Sequence, residues 1–476
     1  MKRFILLFER SLFVKVILVF FDTMRYDHAS CNGYSYKTTP NIDHLAAEGS
    51  IFTNSYPSDI PTQPCYTSTL FGKRGINTGV VSHGQREETF AYDDPTFPEI
   101  LAENGVLTAS VSTLYRFRRW FAKGFTHYLQ PDIKTWLQHV TADQVNAQAI
   151  PWLKSYGKTK DFFLFLHYWD PHTPYNQSLG KYVKRFYKGD PYDPNNHSYD
   201  DLRSRPLMYF FISGGAIPEL KKGLKDIKYT IAQYDAEITY ADEKFGNVLD
   251  TLNTLKVLDD TMIIFTSDHG ESINEHGVYH DHMDSYEQTS HVPLIIWYPK
   301  RVKKQKIDAL VQHIDFAPTI LETFGIKVPE RFEGKSLWPL LEGKKIDHYD
   351  AVFTNQGLWS SQRVMRTKKW SLVKTIDPGM LIDLPSTQLF DRQKDLVESK
   401  DLAPKMKDVV DELELEYFHW VESHLGNRPD PLRTIGQEPT ATDGCKQRYR
   451  EFLCKEFSAK ELTPEDRARI DDNPKI

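Results

Sequence analysis

Two uninterrupted apolar runs that end next to charged residues constrain the fold of this chain more than any other feature. Lys15–Phe21 is followed directly by Asp22, and 261–266 is followed one residue later by Asp268 and His269. Runs this apolar predict strands that are covered on both faces, as in parallel sheets. Because ligands bind at the carboxyl ends of such strands, the charged residues predict a site at one edge of the sheet.

Further segments alternate between strand and helix patterns. They are strands at 106–111, 162–168 and 292–297 and helices at 39–49, 100–104 and 227–255. This alternation predicts an α/β fold with a large, mostly parallel (mixed) sheet sandwiched by helices. Residues 176–225, which are polar, aromatic and rich in Pro and Gly, are predicted to be an inserted loop region able to cover an active site.

The pattern changes after residue 345. Short strand patterns at 351–354, 362–374 and 388–391 precede an amphipathic helix predicted over 405–425. They predict a smaller C-terminal α+β subdomain, a short antiparallel sheet plus a helix. We therefore predict a catalytic domain over 1–345, this subdomain over 346–425 and a polar tail over 426–476.

Composition argues against several classes of protein. A net charge of -6 at pH 7 disfavours a general nucleic-acid binder. Four cysteines are too few for a disulfide scaffold, although Cys445 and Cys454 could bridge locally or stay as free thiols. Residues 1–10 begin like a signal peptide, but Glu9 and Arg10 interrupt a short apolar run. No segment is long and uncharged enough to span a membrane, so we expect a soluble, cytoplasmic protein, with homo-oligomerisation left open.

The segment 59–73 (DIPTQPCYTSTLFGK) predicts a short helix that ends at Gly72, with Thr62 at or just before its start. Free backbone N–H groups and the helix dipole favour an anion at such a start. A hydroxyl placed there is either an N-cap or a nucleophile aimed at a bound oxyanion. On this segment alone the N-cap is favoured, because Ser and Thr cap helices routinely.

Asp22, Asp268, His269 and Thr62 together offer oxygen and nitrogen ligands. Such a mixed set suits a divalent metal ion, with Zn²⁺ or Mn²⁺ favoured and Ca²⁺ or Mg²⁺ possible. Either aspartate alone is better explained as a cap of the helix that follows it. The sequence Asp-His-Gly-Glu at the end of an apolar strand is the sharper signal.

Several stretches, taken together, resemble the sulfatase branch of the alkaline phosphatase superfamily over about residues 14–345. They are, in chain order, VILVFFDTMRYDH (16–28), TPNIDHLAAEG (39–49), DPHTPY (170–175), TSDHGE (266–271), HVPLI (291–295), IDFAPTIL (314–321) and GKSLWPLL (334–341). The resemblance covers the whole predicted catalytic domain and implies its fold.

The resemblance also implies roles for individual residues. Asp22, Asp268 and His269 match metal ligands, and Thr62 stands where family members hold the metal-bound nucleophile. His172 matches the histidine near the leaving group. His282 falls where relatives have a lysine or histidine facing the anion, although a structural role explains it equally well. The remaining histidines of this region are expected to be structural: His276, His280 and His291.

The chain departs from sulfatases at the nucleophile. Their Cys-x-Pro-Ser-Arg, whose cysteine becomes formylglycine, is here Thr62-Gln-Pro-Cys65-Tyr66. A formylglycine hydrate expels sulfate by elimination through its second hydroxyl, which a threonine lacks. A threonine ester must instead be cleaved by water attacking the central atom.

Other departures concern the metal and the anion. Thr23 replaces an aspartate typical of the calcium site, and Thr113 and Tyr115 replace the usual lysine and histidine. The Asp-x-x-x-His of two-zinc relatives is missing after Asp235, since residue 239 is threonine. These differences predict one metal ion rather than two.

We therefore predict a metal-dependent hydrolase of phosphate mono- or diesters, with phosphonate esters as an option, that acts on a small anionic substrate through a covalent phospho-Thr62. His172 or His282 would protonate the leaving group. One alternative is a sulfatase with a nucleophile other than formylglycine. A second is a non-catalytic binding protein on the same fold.

Overall fold

The structure, a computed structural model, describes residues 13–84, 90, 93–135, 137–175, 180–379, 384–434, 441–458 and 462. The segment 1–10, weighed above as a signal peptide, lies outside these residues. Among the described helices, none combines the length and the apolarity needed to cross a bilayer.

The described strands fall into a large sheet, a small sheet and a short pair. They are, in chain order, β1 (Lys15–Phe21), β2 (Ser50–Phe52), β3 (Ser55–Tyr56), β4 (Asp59–Ile60), β5 (Leu107–Val111), β6 (His127–Leu129), β7 (Phe162–Tyr168), β8 (Thr261–Thr266), β9 (Leu294–Trp297), β10 (Gln305–Ile307), β11 (Val311–Gln312), β12 (Ala351–Leu358), β13 (Ser360–Thr367), β14 (Trp370–Asp377) and β15 (Thr387–Asp391). The short pair is β11 with β3.

The large sheet has eight strands in the order β10-β2-β9-β8-β1-β7-β5-β6. Strand β9 runs antiparallel to β2 and β8, and the other pairs are parallel. The predicted mixed, mostly parallel sheet is therefore confirmed. Strand β1 lies between β7 and β8 and pairs with both in parallel. Their paired residues end side by side, so all three strands end at the same edge of the sheet.

The described α-helices include those that cover the large sheet on both faces and others that pack elsewhere, such as on the small sheet. They are, in chain order, α1 (Pro40–Glu48), α2 (Thr62–Phe71), α3 (Gly75–Thr78), α4 (Phe97–Glu103), α5 (Ala142–Tyr156), α6 (Gly180–Phe186), α7 (Pro206–Phe211), α8 (Ile227–Thr254), α9 (Glu287–Ser290), α10 (Phe316–Thr323), α11 (Trp338–Leu341), α12 (Lys407–Leu425), α13 (Pro431–Thr434) and α14 (Ala441–Glu456).

Strand β1 shows why its sequence is apolar throughout. Ile17, Val19 and Phe21 belong to a core cluster shared with α1, α5 and α8. Their chain neighbours, such as Leu18 and Phe20, belong to a second cluster shared with α2, α4 and α10. Because side chains alternate along a strand, both faces of β1 are buried, which explains why it is apolar from Val16 to Phe21.

The small sheet has the order β15-β14-β13-β12-β4. Its C-terminal strands pair antiparallel, as predicted. The single strand predicted over 362–374 is wrong, because the chain turns back at Lys368 and Lys369 between β13 and β14. Helix α12 packs on this sheet, with the rings of Phe353 and Trp420 stacked 3.9 Å apart.

Two regions for which the sequence predicted no helix, the inserted region and the tail, contain helices. The described part of 176–225 folds into short helices, including α6 and α7, rather than into loops alone. Helix α14 forms within the predicted polar tail and packs against α7, with the rings of Phe210 and Tyr449 5.4 Å apart. The tail therefore reaches back over the inserted region.

Candidate active site and metal centre

Asp22, Asp268 and His269 meet at the edge where β1 and β8 end. One ligand atom from each lies within 4.8 Å of the others, and all three side chains are fully buried. We call these residues the metal triad. Among the described residues, no other group of three or more His, Cys, Asp and Glu side chains has ligand atoms this close.

Thr23 holds the two carboxylates of the metal triad in place. Its N–H donates to Oδ1 of Asp268 over 3.0 Å, and its hydroxyl donates to Oδ1 of Asp22 over 2.8 Å. Thr23 adopts φ +64°, which is rare for a β-branched residue and marks a sharp turn after β1. Thr23, which replaces an aspartate of the family, thus donates hydrogen bonds to the two carboxylates of the metal triad.

Asp22 has a further partner in His167, which the sequence analysis did not single out. Nε2 of His167 lies 3.0 Å from Oδ2 of Asp22. Burial alone would raise the pKa of Asp22, but the hydrogen bond from His167 and the charges of His172 and His269 hold it well below its usual value. Asp22 is therefore ionised.

The second carboxylate of the triad lacks such support. Burial, and then the negative charge of Asp22, raise the pKa of Asp268 well above its usual value. Its Oδ2 is buried, has no hydrogen-bond partner among the described residues and lies 3.4 Å from Nε2 of His269. A cation between the carboxylates would satisfy this oxygen and relieve their repulsion, so these residues fit a divalent metal ion.

Thr62 is the first residue of α2, and its hydroxyl does not cap the helix. The cap position is Pro61, without a side-chain cap hydrogen bond. Oγ1 of Thr62 instead lies 3.1 Å from Nε2 of His269, and the side chain is buried. The N-cap alternative is therefore wrong, and the hydroxyl lies at the metal triad beside free backbone N–H groups.

The remaining predicted site residues lie next to this centre. The ring of His282 is 4.2 Å from that of His269 and 5.7 Å from that of His172, measured between centroids. Burial, and then the like charges of nearby histidines, lower the pKa of His282 well below its usual value. The structure thus brings together all the residues proposed from the sequence.

His83 is a residue of this region that no motif pointed to. Burial and the like charges of His269 and His172 lower its pKa to about 3. The N–H of the next residue, Gly84, donates to the Gln63 side chain over 3.3 Å, which ties the segment to the start of α2. Only the fold reveals this proximity.

Three other residues named in the sequence analysis make their contacts with residues other than the metal triad. Nε2 of His280 lies 2.8 Å from the Tyr199 hydroxyl, and the His276 ring stacks on Tyr286 at 3.6 Å. Asp235, weighed as a second-metal ligand, instead contacts Nδ1 of His28 at 2.7 Å.

The family model described as "Sulfatase" matches residues 15–326, more than half of the chain. The chain belongs to the sulfatase family. A second model, described as "N-sulphoglucosamine sulphohydrolase, C-terminal", matches residues 274–421 of this sulfatase-family protein. The resemblance predicted from the motifs is confirmed.

Curated relatives of this sulfatase-family protein carry sulfatase names. It is 25% identical to an N-acetylglucosamine-6-O-sulfatase of Bacteroides thetaiotaomicron, with 88% of each chain covered. It is also 25% identical to human iduronate 2-sulfatase, over 69% of this chain and 68% of that protein.

Solved structures share its fold. A protein in complex with its substrate D-glucosamine-2-N,6-O-disulfate superposes with a TM-score of 0.71 at 22% identity, over 88% of this chain and 99% of the other. A phosphonate monoester hydrolase from Silicibacter pomeroyi superposes with a TM-score of 0.66 at 19% identity, over 88% and 96% of the two chains.

Family membership makes this sulfatase-family protein a hydrolase that acts on esters, as predicted. It favours sulfate esters over the phosphate esters that the sequence analysis preferred. Family enzymes use a divalent metal, and the metal triad is a possible site for one.

Proposed function

We propose that this protein is a metal-dependent hydrolase of sulfate esters in which Thr62 attacks the sulfuryl group. One observation carries the proposal: Oγ1 of Thr62 lies 3.1 Å from Nε2 of His269, beside the metal triad and at the start of α2. Sulfatase family membership supports sulfate as the ester class.

A divalent ion bound to the metal triad would act as a Lewis acid toward the ester and lower the pKa of the nearby hydroxyl. The buried, unpartnered Oδ2 of Asp268 supports a cation at this place. Carboxylate oxygens with an imidazole nitrogen suit Zn²⁺ or Mn²⁺, while Ca²⁺ and Mg²⁺ stay possible.

The protein's own groups would carry the reaction in two steps. In the first, the Thr62 hydroxyl loses its proton to solvent and its oxygen bonds to sulfur as the bond from sulfur to the leaving oxygen breaks. His172 or His282 gives that oxygen a proton, and backbone N–H groups at the start of α2 stabilise the equatorial charge. In the second, the same imidazole takes a proton from water, whose oxygen bonds to sulfur as the bond from sulfur to the Thr62 oxygen breaks. Sulfate leaves, and the Thr62 oxygen takes up a proton from solvent.

Phosphate mono- and diesters, and phosphonate esters, form a second candidate class. The observation that favours them is Thr62 itself, whose single hydroxyl cannot expel a sulfate by elimination. A phosphonate monoester hydrolase among proteins of the same fold shows that this scaffold also serves phosphorus esters.

Rates on matched aryl sulfate, aryl phosphate, bis-aryl phosphate and aryl phosphonate, measured with each candidate metal, test the proposal. Thr62→Ala serves as the blank, and Thr251→Ala, a hydroxyl loss on α8, as the matched control. Sulfate ester cleavage lost only in Thr62→Ala would support the proposal. Faster cleavage of a phosphorus ester would replace sulfate by the second class.

The non-catalytic alternative predicts a different result. A binding protein would cleave none of the esters with any metal, although its metal triad could still raise the melting temperature when metal is added. Ester cleavage that persists unchanged in Thr62→Ala would remove the nucleophile from the proposal but keep the hydrolase.

A further inference from the structure

Glu271 is a buried carboxyl group without an assigned role. It follows the metal triad by two residues, and its side chain is fully buried. Both carboxyl oxygens lack a hydrogen-bond partner among the described residues. Burying a carboxyl group without a hydrogen-bond partner costs free energy, so we expect a partner close to Glu271.

The partner that the geometry offers is His282. Oε1 of Glu271 lies 3.8 Å from Nδ1 of His282, and this nitrogen is also buried without a hydrogen-bond partner in the described part of the chain. A displacement of about 1 Å would bring the atoms to hydrogen-bond distance and satisfy both. The two unpaired groups therefore complement each other.

The backbone of Glu271 is anchored by hydrogen bonds, whereas its side chain makes none among the described residues. Its N–H donates to the carbonyl of Gln288 over 3.2 Å, and its carbonyl accepts from Nη1 of Arg25 over 3.1 Å. The carboxyl group is thus held 3.8 Å from His282 by its backbone. The anchored backbone lets such a contact orient the imidazole ring.

The orientation of His282 matters because its ring packs beside His269 of the metal triad while Nδ1 lies 3.8 Å from Glu271. The ring lies 4.2 Å from that of His269, and 5.7 Å from that of His172, measured between centroids. When Nδ1 is turned to Glu271, Nε2 occupies the opposite edge of the ring. A carboxyl oxygen that accepts from one ring nitrogen fixes which nitrogen exchanges a proton at the other edge.

We propose that Glu271 is a positioning residue that accepts the Nδ1–H of His282 and thereby presents Nε2 to the ester anion. This inference rests on the proposed function and takes His282, rather than His172, as the imidazole that faces the substrate. Glu271 is not one of the metal triad, whose ligand atoms converge without it. Its role is exerted through His282 and not on the metal.

Four variants test the inference on the metal-loaded enzyme. Glu271→Met removes the acceptor, and Glu271→Gln keeps a carbonyl acceptor at the same place. His282→Asn removes the imidazole, and Glu271→Met/His282→Asn completes a double-mutant cycle. Glu103→Gln, a charge loss at the exposed end of α4, is the control. Metal content and melting temperature are measured for every variant.

We expect Glu271→Met to lower kcat about ten- to hundred-fold with KM little changed, the size found for groups that orient a catalytic ligand. Glu271→Gln should retain most of the rate, and the double variant should be no slower than His282→Asn. The inference would be overturned if the two single-variant losses of kcat multiplied in the double variant. It would also be overturned if Glu271→Gln and Glu271→Met lost kcat equally. If Glu271→Met does not fold, Glu271→Asp replaces it, because a shorter side chain widens the gap and must lower kcat.

A second readout separates this inference from the proposed function. In a Thr62→Ala background, binding of inorganic sulfate and inorganic phosphate is measured by calorimetry for the same cycle. Non-additive weakening of anion affinity supports the positioning role even if no ester is cleaved. Additive weakening refutes it even if sulfate esters are cleaved.

Discussion

Nε2 of His167 donates a hydrogen bond of 3.0 Å to Oδ2 of Asp22, and this bond joins the end of β7 to the metal triad. Both side chains are buried, so the bond persists without competition from water. The ring's other nitrogen, Nδ1, lies 3.3 Å from the Ser112 hydroxyl, which fixes the ring from behind. His167 thus orients a side chain of the metal triad from a neighbouring strand.

Replacement of His167 by phenylalanine should weaken metal binding by about ten- to hundred-fold, as for other groups that orient ligands. The phenyl ring fills the space but leaves Oδ2 of Asp22 without its donor. Titration of the metal-free protein with Zn²⁺ and Mn²⁺ measures the affinity, and His44→Gln on the exposed face of α1 is the control. Unchanged affinity in His167→Phe would show that the metal alone orients Asp22.

Metal removal should destabilise the protein. Bound metal relieves the repulsion of Asp22 and Asp268, and an ion present at a hundred times its Kd adds about 2.7 kcal/mol to the free energy of unfolding. Calorimetry with and without chelator measures the melting temperature. In Asp268→Ala the metal-dependent part of the shift should vanish, whereas Asp259→Ala, in an acidic turn before β8, should keep it.

His280 should make stability depend on pH. Burial lowers the pKa of His280 to about 3 in the folded protein, while the pKa of an unfolded histidine is about 6.5. Between these values the unfolded chain binds more protons, so the free energy of unfolding falls as the pH falls. His280→Gln should flatten this decline by up to about 1.4 kcal/mol per pH unit.

Denaturant unfolding at several pH values from about 4 to 7 measures this slope. His44→Gln, which removes an exposed histidine, is the control. A slope for His280→Gln equal to that of the unmodified protein would mean that the folded state accepts the proton at His280 without cost.

Asn355→Ala should lower both stability and turnover. Nδ2 of Asn355 donates to Oδ1 of Asp59 over 2.7 Å, and Asp59 also accepts the N–H of Gly75 over 2.8 Å. Removing a donor from this buried carboxyl should cost about 1–3 kcal/mol. Because Asp59 lies just before Thr62, kcat should fall more than KM changes. Asn104→Ala at the end of α4 is the control, and a normal kcat would contradict the coupling.

The central strands and the strand-end residues could be predicted because one local rule decides them. A strand buried on both faces is mostly apolar, so β1, β7 and β8 were found within their observed bounds. Parallel strands end at one edge, which places Asp22 near Asp268 without further information.

The features that were missed depend on contacts that the local sequence does not show. The turn between β13 and β14 contains neither glycine nor proline, and the Thr367 hydroxyl accepts the N–H of Trp370 over 2.9 Å to close it. His167 lies inside an apolar strand and looks like a core residue. Its partner Asp22 is distant in the chain, and only strand order brings them together.

Strand β4 belongs to the small sheet, although it lies in the N-terminal half of the chain. Asp59 and Ile60 pair with Asn355 and Gln356 of β12, and Thr62 follows two residues after the strand. The small sheet therefore sets the path of the backbone that leads into α2. Exchange of the C-terminal segment with that of a relative would therefore affect more than the C-terminal subdomain. It would also replace the strand that pairs with the backbone just before Thr62, the proposed nucleophile, so we expect active chimaeras to need β4 and β12 from the same parent.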